Sequence, residues 1–91
     1  MTLPHTDGEE NFMCVIKGYK NFTIVSPYHS DFVYPGIKPD KYSDEHMPQN
    51  YSPVNFEDPD YEKYPLFKKA KVYRITLKSG DCLFLPSYWW H

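Results

Sequence analysis

Asn11-Phe12-Met13-Cys14-Val15-Ile16-Lys17-Gly18-Tyr19-Lys20-Asn21-Phe22-Thr23-Ile24-Val25 is the stretch on which the fold turns. Its halves, Asn11–Lys17 and Tyr19–Val25, are rich in Phe, Val, Ile and Thr, residues that suit a pleated, half-buried surface. Lys17-Gly18 is short enough to join them as a hairpin, so an antiparallel pair is predicted. Further along, Val72–Leu77 alternates in the same way and Lys78-Ser79-Gly80-Asp81 has turn composition. Cys82–Leu85 is a last strand halted by Pro86, which has no amide hydrogen to give a ladder. Counting a strand around His5, about five are expected.

Between these blocks the character changes. Residues 26–71 hold seven of the nine prolines, many of the tyrosines, and no periodicity, so they read as a long Pro/Tyr-rich loop. Within it, Asp58-Pro59-Asp60 can cap one helical turn through Tyr64. A connection of this length in a compact domain is expected to be functional or to be ordered by a partner. The organisation is then one domain over 1–91: a strand and hairpin in 1–25, the loop in 26–71, and the last strands in 72–91.

Composition narrows the classes further. A chain of 91 residues has room for one small domain, and an aromatic share of 19% favours a β-rich core over a disordered tail. The net charge of −2, with both signs interspersed, lacks the basic stripe that a nucleic-acid backbone requires, so no direct nucleic-acid binding is expected. No signal or transit pattern and no apolar run of about 18 residues is visible, so no membrane contact is expected. Cys14 and Cys82 have neither CxxC spacing nor a dense disulfide pattern, which reads as a reducing compartment or two indifferent buried thiols. An intracellular location follows as the expectation: cytoplasm, nucleus, or an organelle after loss of a targeting segment.

Three residues suggest chemistry. Residues two apart on an extended strand point to one face, so His5 and Asp7 can offer a ring nitrogen and a carboxylate oxygen to the same point. His91, after an apolar strand and two tryptophans, supplies a second imidazole. Two histidines and one carboxylate leave open positions on a metal, the arrangement iron(II) needs to bind a co-substrate and oxygen together. Against this stands the plainer reading of surface histidines with Trp89 and Trp90 as ordinary core.

Lys20 shares strand parity with Phe22 and Ile24, which places a cation on an apolar face. Such a group snorkels to water, changes its protonation, or pairs with an anion, and an external carboxylate suits the last. Thr2 and Asn11 are candidate hydrogen-bond donors to the same anion.

The string His5-Thr6-Asp7-Gly8-Glu9-Glu10-Asn11-Phe12, followed by Ile16-Lys17-Gly18-Tyr19-Lys20, resembles the JmjC and cupin-like branch of the 2-oxoglutarate-dependent oxygenases, especially its asparaginyl-hydroxylase members. Asp58-Pro59-Asp60-Tyr61-Glu62-Lys63-Tyr64-Pro65-Leu66-Phe67 and Ser79-Gly80-Asp81-Cys82-Leu83-Phe84-Leu85-Pro86-Ser87-Tyr88-Trp89-Trp90-His91 resemble the same family in the same order. Such co-linear similarity is far more specific than His-x-Asp alone.

The resemblance implies an all-β fold: a partial double-stranded β-helix, that is, a jelly-roll or cupin barrel. It implies that His5, Asp7 and His91 hold Fe(II). Lys20 would pair with the distal carboxylate of 2-oxoglutarate, the co-substrate, and Thr2 and Asn11 would hydrogen-bond it. In the family, oxidative decarboxylation to succinate and carbon dioxide is coupled to oxidation of a C–H bond.

The family pattern also has a strand before the position of Thr2 and strands after that of His91. The chain is therefore read as a fragment of an oxygenase of the protein hydroxylase or demethylase type. The alternative is an inactive structural subunit whose neighbouring proteins cover an open barrel edge. A cupin holding manganese, nickel or zinc is a third option, which Lys20 on the apolar face disfavours. The expected partners are a protein substrate or those neighbouring subunits.

Overall fold

The computed structural model describes residues 3–38 and 47–91. Among the described residues the protein is mainly β, with four strands in two antiparallel sheets: β1 (Asn11–Cys14), β2 (Tyr19–Val25), β3 (Val72–Lys78) and β4 (Cys82–Leu85). β1, β2 and β4 fall inside the runs expected as strands and β3 goes one residue further, to Lys78, but their pairing differs from the expected hairpin. β1 pairs with β4, and β2 with β3.

The physical reason is a corner. Val15–Gly18 is not a hairpin turn but the place where the chain leaves one sheet and enters the other, with Gly18 in the left-handed region at φ 79°. Ser79–Asp81 makes the same change of sheet on the returning strand. The two corners are bound to each other: Ser79 N donates to Gly18 O at 2.9 Å, Gly80 N to Val15 O at 2.9 Å, and Val15 N to Asp81 O at 3.0 Å. Four residues separate Cys14 from Tyr19 and three separate Lys78 from Cys82, so the register slips by one and the ribbon bulges. A bulge at a bend is how one two-stranded ribbon passes from sheet to sheet in this kind of architecture.

Cys14 and Cys82 lie directly opposite each other in β1 and β4, with Cα atoms 4.0 Å apart, and form a disulfide. Both are exposed. The reading of two separate buried thiols is corrected: distant in sequence, they are brought into register by the ribbon, on its outer face beside the exposed pair Phe12 and Phe84.

Short bridges extend the β2/β3 sheet. Val25 and Trp90 exchange both backbone hydrogen bonds, at 3.1 and 2.9 Å, and so do His5 and His91, each at 3.0 Å. On the other side of the His5 segment, Thr6 N donates to Asn50 O at 2.9 Å and Ser52 N to Pro4 O at 2.8 Å. The segments therefore lie in the order 50–52, 4–6, 90–91, β2, β3.

The described residues of this stretch, 26–38 and 47–71, fold back on this sheet. A 3-10 helix over Pro27–Phe32 starts at Ser26, whose side chain accepts from Tyr28 N, and a second spans Pro65–Lys69. Asp60 caps the turn before the second helix, its Oδ1 accepting from Glu62 N and Lys63 N while Tyr64 N reaches Asp60 O. The buried cluster is Val25, Val33, Val54, Phe56, Tyr64, Phe67 and Trp90, five of which come from this segment. Ser52, fully buried, donates to Val33 O and accepts from Val54 N, so the backbone polar groups entering the core are satisfied.

Candidate metal centre

Which way each residue faces follows from the register. Val25 and Trp90 sit opposite each other and both enter the core, so their neighbours Ile24 and His91 turn to the other face of the sheet. His5 is opposite His91, Tyr51 opposite His5, and Tyr73 opposite Ile24. One row of side chains thus crosses five segments: Tyr51, His5, His91, Ile24, Tyr73. Asp7, two residues beyond His5, lies on the same face, one pleat along.

The rings are aimed by their own backbones. His5 Nδ1 lies 3.0 Å from Leu3 O and His91 Nδ1 lies 3.0 Å from Trp89 O. A carbonyl only accepts, so each Nδ1 carries a proton, and in the neutral imidazole each Nε2 then presents a lone pair. Both Nε2 atoms face Asp7 Oδ2, at 3.7 Å from His5 and 3.3 Å from His91. One ligand atom from each of His5, Asp7 and His91 lies within 4.8 Å of the others.

With both rings neutral, three acceptors converge on one point and repel one another. A single cation satisfies all three. Donors bound at about 2.1 Å and at right angles lie about 3 Å apart, close to the separations seen, so the donor set fits a divalent ion on one of its faces. The side chains are 19–44% exposed, Asp7 the most, so the ion would also face solvent. Among the described residues no other group of three His, Cys, Asp or Glu comes together in this way.

The chain belongs to the cupin-like family. The cupin-like domain matches residues 1–91. This cupin-like domain is similar to Jumonji C domain-containing protein 5 of Drosophila melanogaster, 33% identical over 87 residues, covering 96% of the chain and 20% of that relative. It is similar also to JmjC domain-containing protein D of Dictyostelium discoideum, 34% identical over 96% of the chain and 18% of the relative. A third relative is tRNA wybutosine-synthesizing protein 5 of Mus musculus, 34% identical over 96% of the chain and 24% of the relative. The cupin-like domain thus spans a quarter or less of the length of these relatives.

The remaining candidate residues are placed less tightly. Lys20 shares the face of Phe22 and Ile24, as parity requires, and its Nζ lies 5.5 Å from the Phe22 ring centroid. It is exposed, as are Tyr19 and Asn21, so of the outcomes open to a cation on this face the side chain reaches water. It lies on the metal-facing side of the sheet, about 13 Å along β2 from Ile24 at about 3.3 Å per residue. Asn11 is half-buried opposite buried Leu85, on the inner face of β1/β4. Thr2 lies outside the described residues. Tyr51, whose ring stacks on His5 with centroids 5.4 Å apart and planes at 26°, went unnoticed in the sequence. It sits in an aperiodic stretch, and only its pairing with His5 reveals it.

Proposed function

We propose that the chain carries the metal and co-substrate centre of an Fe(II)- and 2-oxoglutarate-dependent oxygenase. The observation that supports this best is the convergence of two Nε2 lone pairs and the Asp7 carboxylate, with both Nδ1 protons already committed to carbonyls. His5, Asp7 and His91 would hold the iron. When bound with 2-oxoglutarate and oxygen, iron supplies oxidation of a C–H bond coupled to decarboxylation of the co-substrate. The protein's own part is positional. The Leu3 and Trp89 carbonyls orient the rings, the row Tyr51–Tyr73 walls one side, and the open side admits ligands. Lys20, on the same face, would pair with the far carboxylate through a charge-assisted bond, and Asn11 and Thr2 would add donors.

The substrate on this reading is a protein side chain, of the hydroxylase or demethylase type, in keeping with the relatives named for Jumonji C domains and with a net charge of −2 in which both signs are interspersed along the sequence. Since one relative is named for tRNA wybutosine synthesis, tRNA belongs beside peptides in the substrate assay. The primary test is anaerobic addition of Fe(II) and 2-oxoglutarate. A weak visible charge-transfer band is expected in the native protein and none in Asp7→Ala; a native protein without the band overturns the proposal.

A second reading, a structural subunit covered by neighbouring proteins, is favoured by the outer face of β1/β4, where Phe12 is 69% and Phe84 51% exposed. It requires that alanine at His5 and Asp7 leave assembly intact and that the purified complex hold no stoichiometric iron.

A further inference from the structure

The row that crosses the sheet gives His5 two ring neighbours and His91 a different pair. His5 lies between Tyr51, centroids 5.4 Å away and planes 26° apart, and His91, 4.7 Å away and tilted by 51°. His91 lies between His5 and Ile24, which is 7% exposed and so fixed in the fold. His5 has a different neighbour across the sheet on its outer side. What lies on its outer flank is the flat phenol ring of Tyr51, half-buried.

The backbone holds that ring in place. Thr6 N donates to Asn50 O and Ser52 N to Pro4 O, so His5 and Tyr51 form a pair whose own amides do not bond each other, the closer of the two antiparallel spacings. Asn50 Nδ2 adds a bond to Thr6 O at 3.0 Å, and Gly36 N donates to Tyr51 O at 2.9 Å. The backbone at Tyr51 is therefore tied on both of its edges. The bond from Nδ1 to Leu3 O fixes one edge of the imidazole but leaves it able to swing about that contact. A near-parallel ring against its face removes the swing.

We propose that Tyr51 is a positioning residue of the metal centre, its ring holding the His5 imidazole in the plane that sends Nε2 toward Asp7 and His91. The inference rests on the metal-site reading above. Groups that orient a ligand without touching the metal commonly govern affinity by about 10–100-fold.

The test is titration of the full chain with Co(II), followed by visible absorption, alongside thermal unfolding of the metal-free protein. Tyr51→Phe keeps the flat ring and should bind Co(II) within about twofold of the native protein. Tyr51→Leu keeps bulk and apolar character but no flat face, and should lose about tenfold in affinity or more, with altered ligand-field bands. A folded Tyr51→Leu protein with native affinity and native bands overturns the proposal, whatever its unfolding temperature. So does a loss in Tyr51→Phe equal to that in Tyr51→Leu, because the hydroxyl would then be the active part. Asp7→Ala separates this from failure of the metal reading: if it too titrates like the native protein, Co(II) is not at this site and both readings fall.

Discussion

His5 and His91 are fixed by one device used twice, a ring nitrogen bonded to the carbonyl two residues upstream in an extended segment. It works because an extended backbone brings that carbonyl beside the ring, and it leaves the far nitrogen of each imidazole as an acceptor. The arrangement predicts opposite signs for one substitution. Asp7→Asn keeps the shape but turns an acceptor-only group into one that can donate to both Nε2 atoms. Metal affinity should fall by roughly a hundredfold or more, given that even indirect groups govern about 10–100-fold. The metal-free protein should be unchanged or more stable by about 1 kcal/mol, the net worth of a new hydrogen bond; isothermal titration and metal-free unfolding read the two effects separately. Lys20→Met should weaken 2-oxoglutarate binding by about tenfold or more while leaving Fe(II) binding within twofold, since loss of a charge-assisted contact is worth about 1.5–3 kcal/mol. Equal co-substrate affinity would remove Lys20 from the site. At this scale much was legible in the sequence, because His5 and Asp7 need only strand parity to share a face. Whether Lys20 is covered or reaches water was not legible, because parity tells which face a residue is on and not whether anything packs against it.

Strand composition located β1 to β4, yet the pairing of β1 with β2 was misread. A Lys-Gly step between two β-rich runs suits a hairpin equally well as a corner, and only the matching corner at Ser79–Asp81 distinguishes them. The signal lay in the cysteines: residues paired across a ribbon, 68 apart in sequence, require β1 to meet β4. Reduction of this disulfide, or Cys14→Ser with Cys82→Ser, should lower stability by about 2–4 kcal/mol through the longer loop freed in the unfolded chain. The loss should fall first on β1 and β4, which form a sheet of their own. Hydrogen exchange should show their amides losing protection before those of β2 and β3; uniform loss would mean that the disulfide holds the whole fold and not this pair. A second element-scale constraint is the turn at Tyr34–Ile37. Gly36 has φ 74° and its amide bonds Tyr51 O. Gly36→Ala should cost about 1–2 kcal/mol for the left-handed backbone, the nearest atoms to its added Cβ being those of the movable Gln49 side-chain end; denaturant unfolding measures the loss.

The whole molecule depends on a segment that has no periodicity. Residues 26–71 supply Val33, Val54, Phe56, Tyr64 and Phe67 to a cluster to which the sheet adds buried Val25 and Trp90 and half-buried Val72. Their positions follow turns, caps and proline-started 3-10 helices, so hydrophobic spacing could not disclose them as core. The polar ties are as dispersed: Thr23 Oγ1 donates to Glu57 at 2.6 Å, Arg74 to Phe56 O at 2.9 Å, and Trp90 Nε1 to Ser30 at 2.9 Å. This segment and the metal row meet in the exchange between Val25 and Trp90, whose side chains are core and whose neighbours Ile24 and His91 belong to the row. Core and site should therefore be coupled. Phe67 is 2% exposed and stacks on Phe56 at 5.2 Å, so Phe67→Ala should cost about 3–5 kcal/mol by opening a cavity. That is a large part of the stability of a domain this size, which is about 5–14 kcal/mol at about 0.05–0.15 kcal/mol per residue. Because binding confined to the folded state adds about 2.7 kcal/mol at a hundredfold excess over Kd, Co(II) should restore most of the lost stability in Phe67→Ala. It should restore none in Phe67→Ala combined with Asp7→Asn. Calorimetry of the four proteins with and without Co(II) tests the coupling, and a site that binds metal while the Phe67→Ala core remains unfolded would show that the row folds independently of the loop that covers its other face.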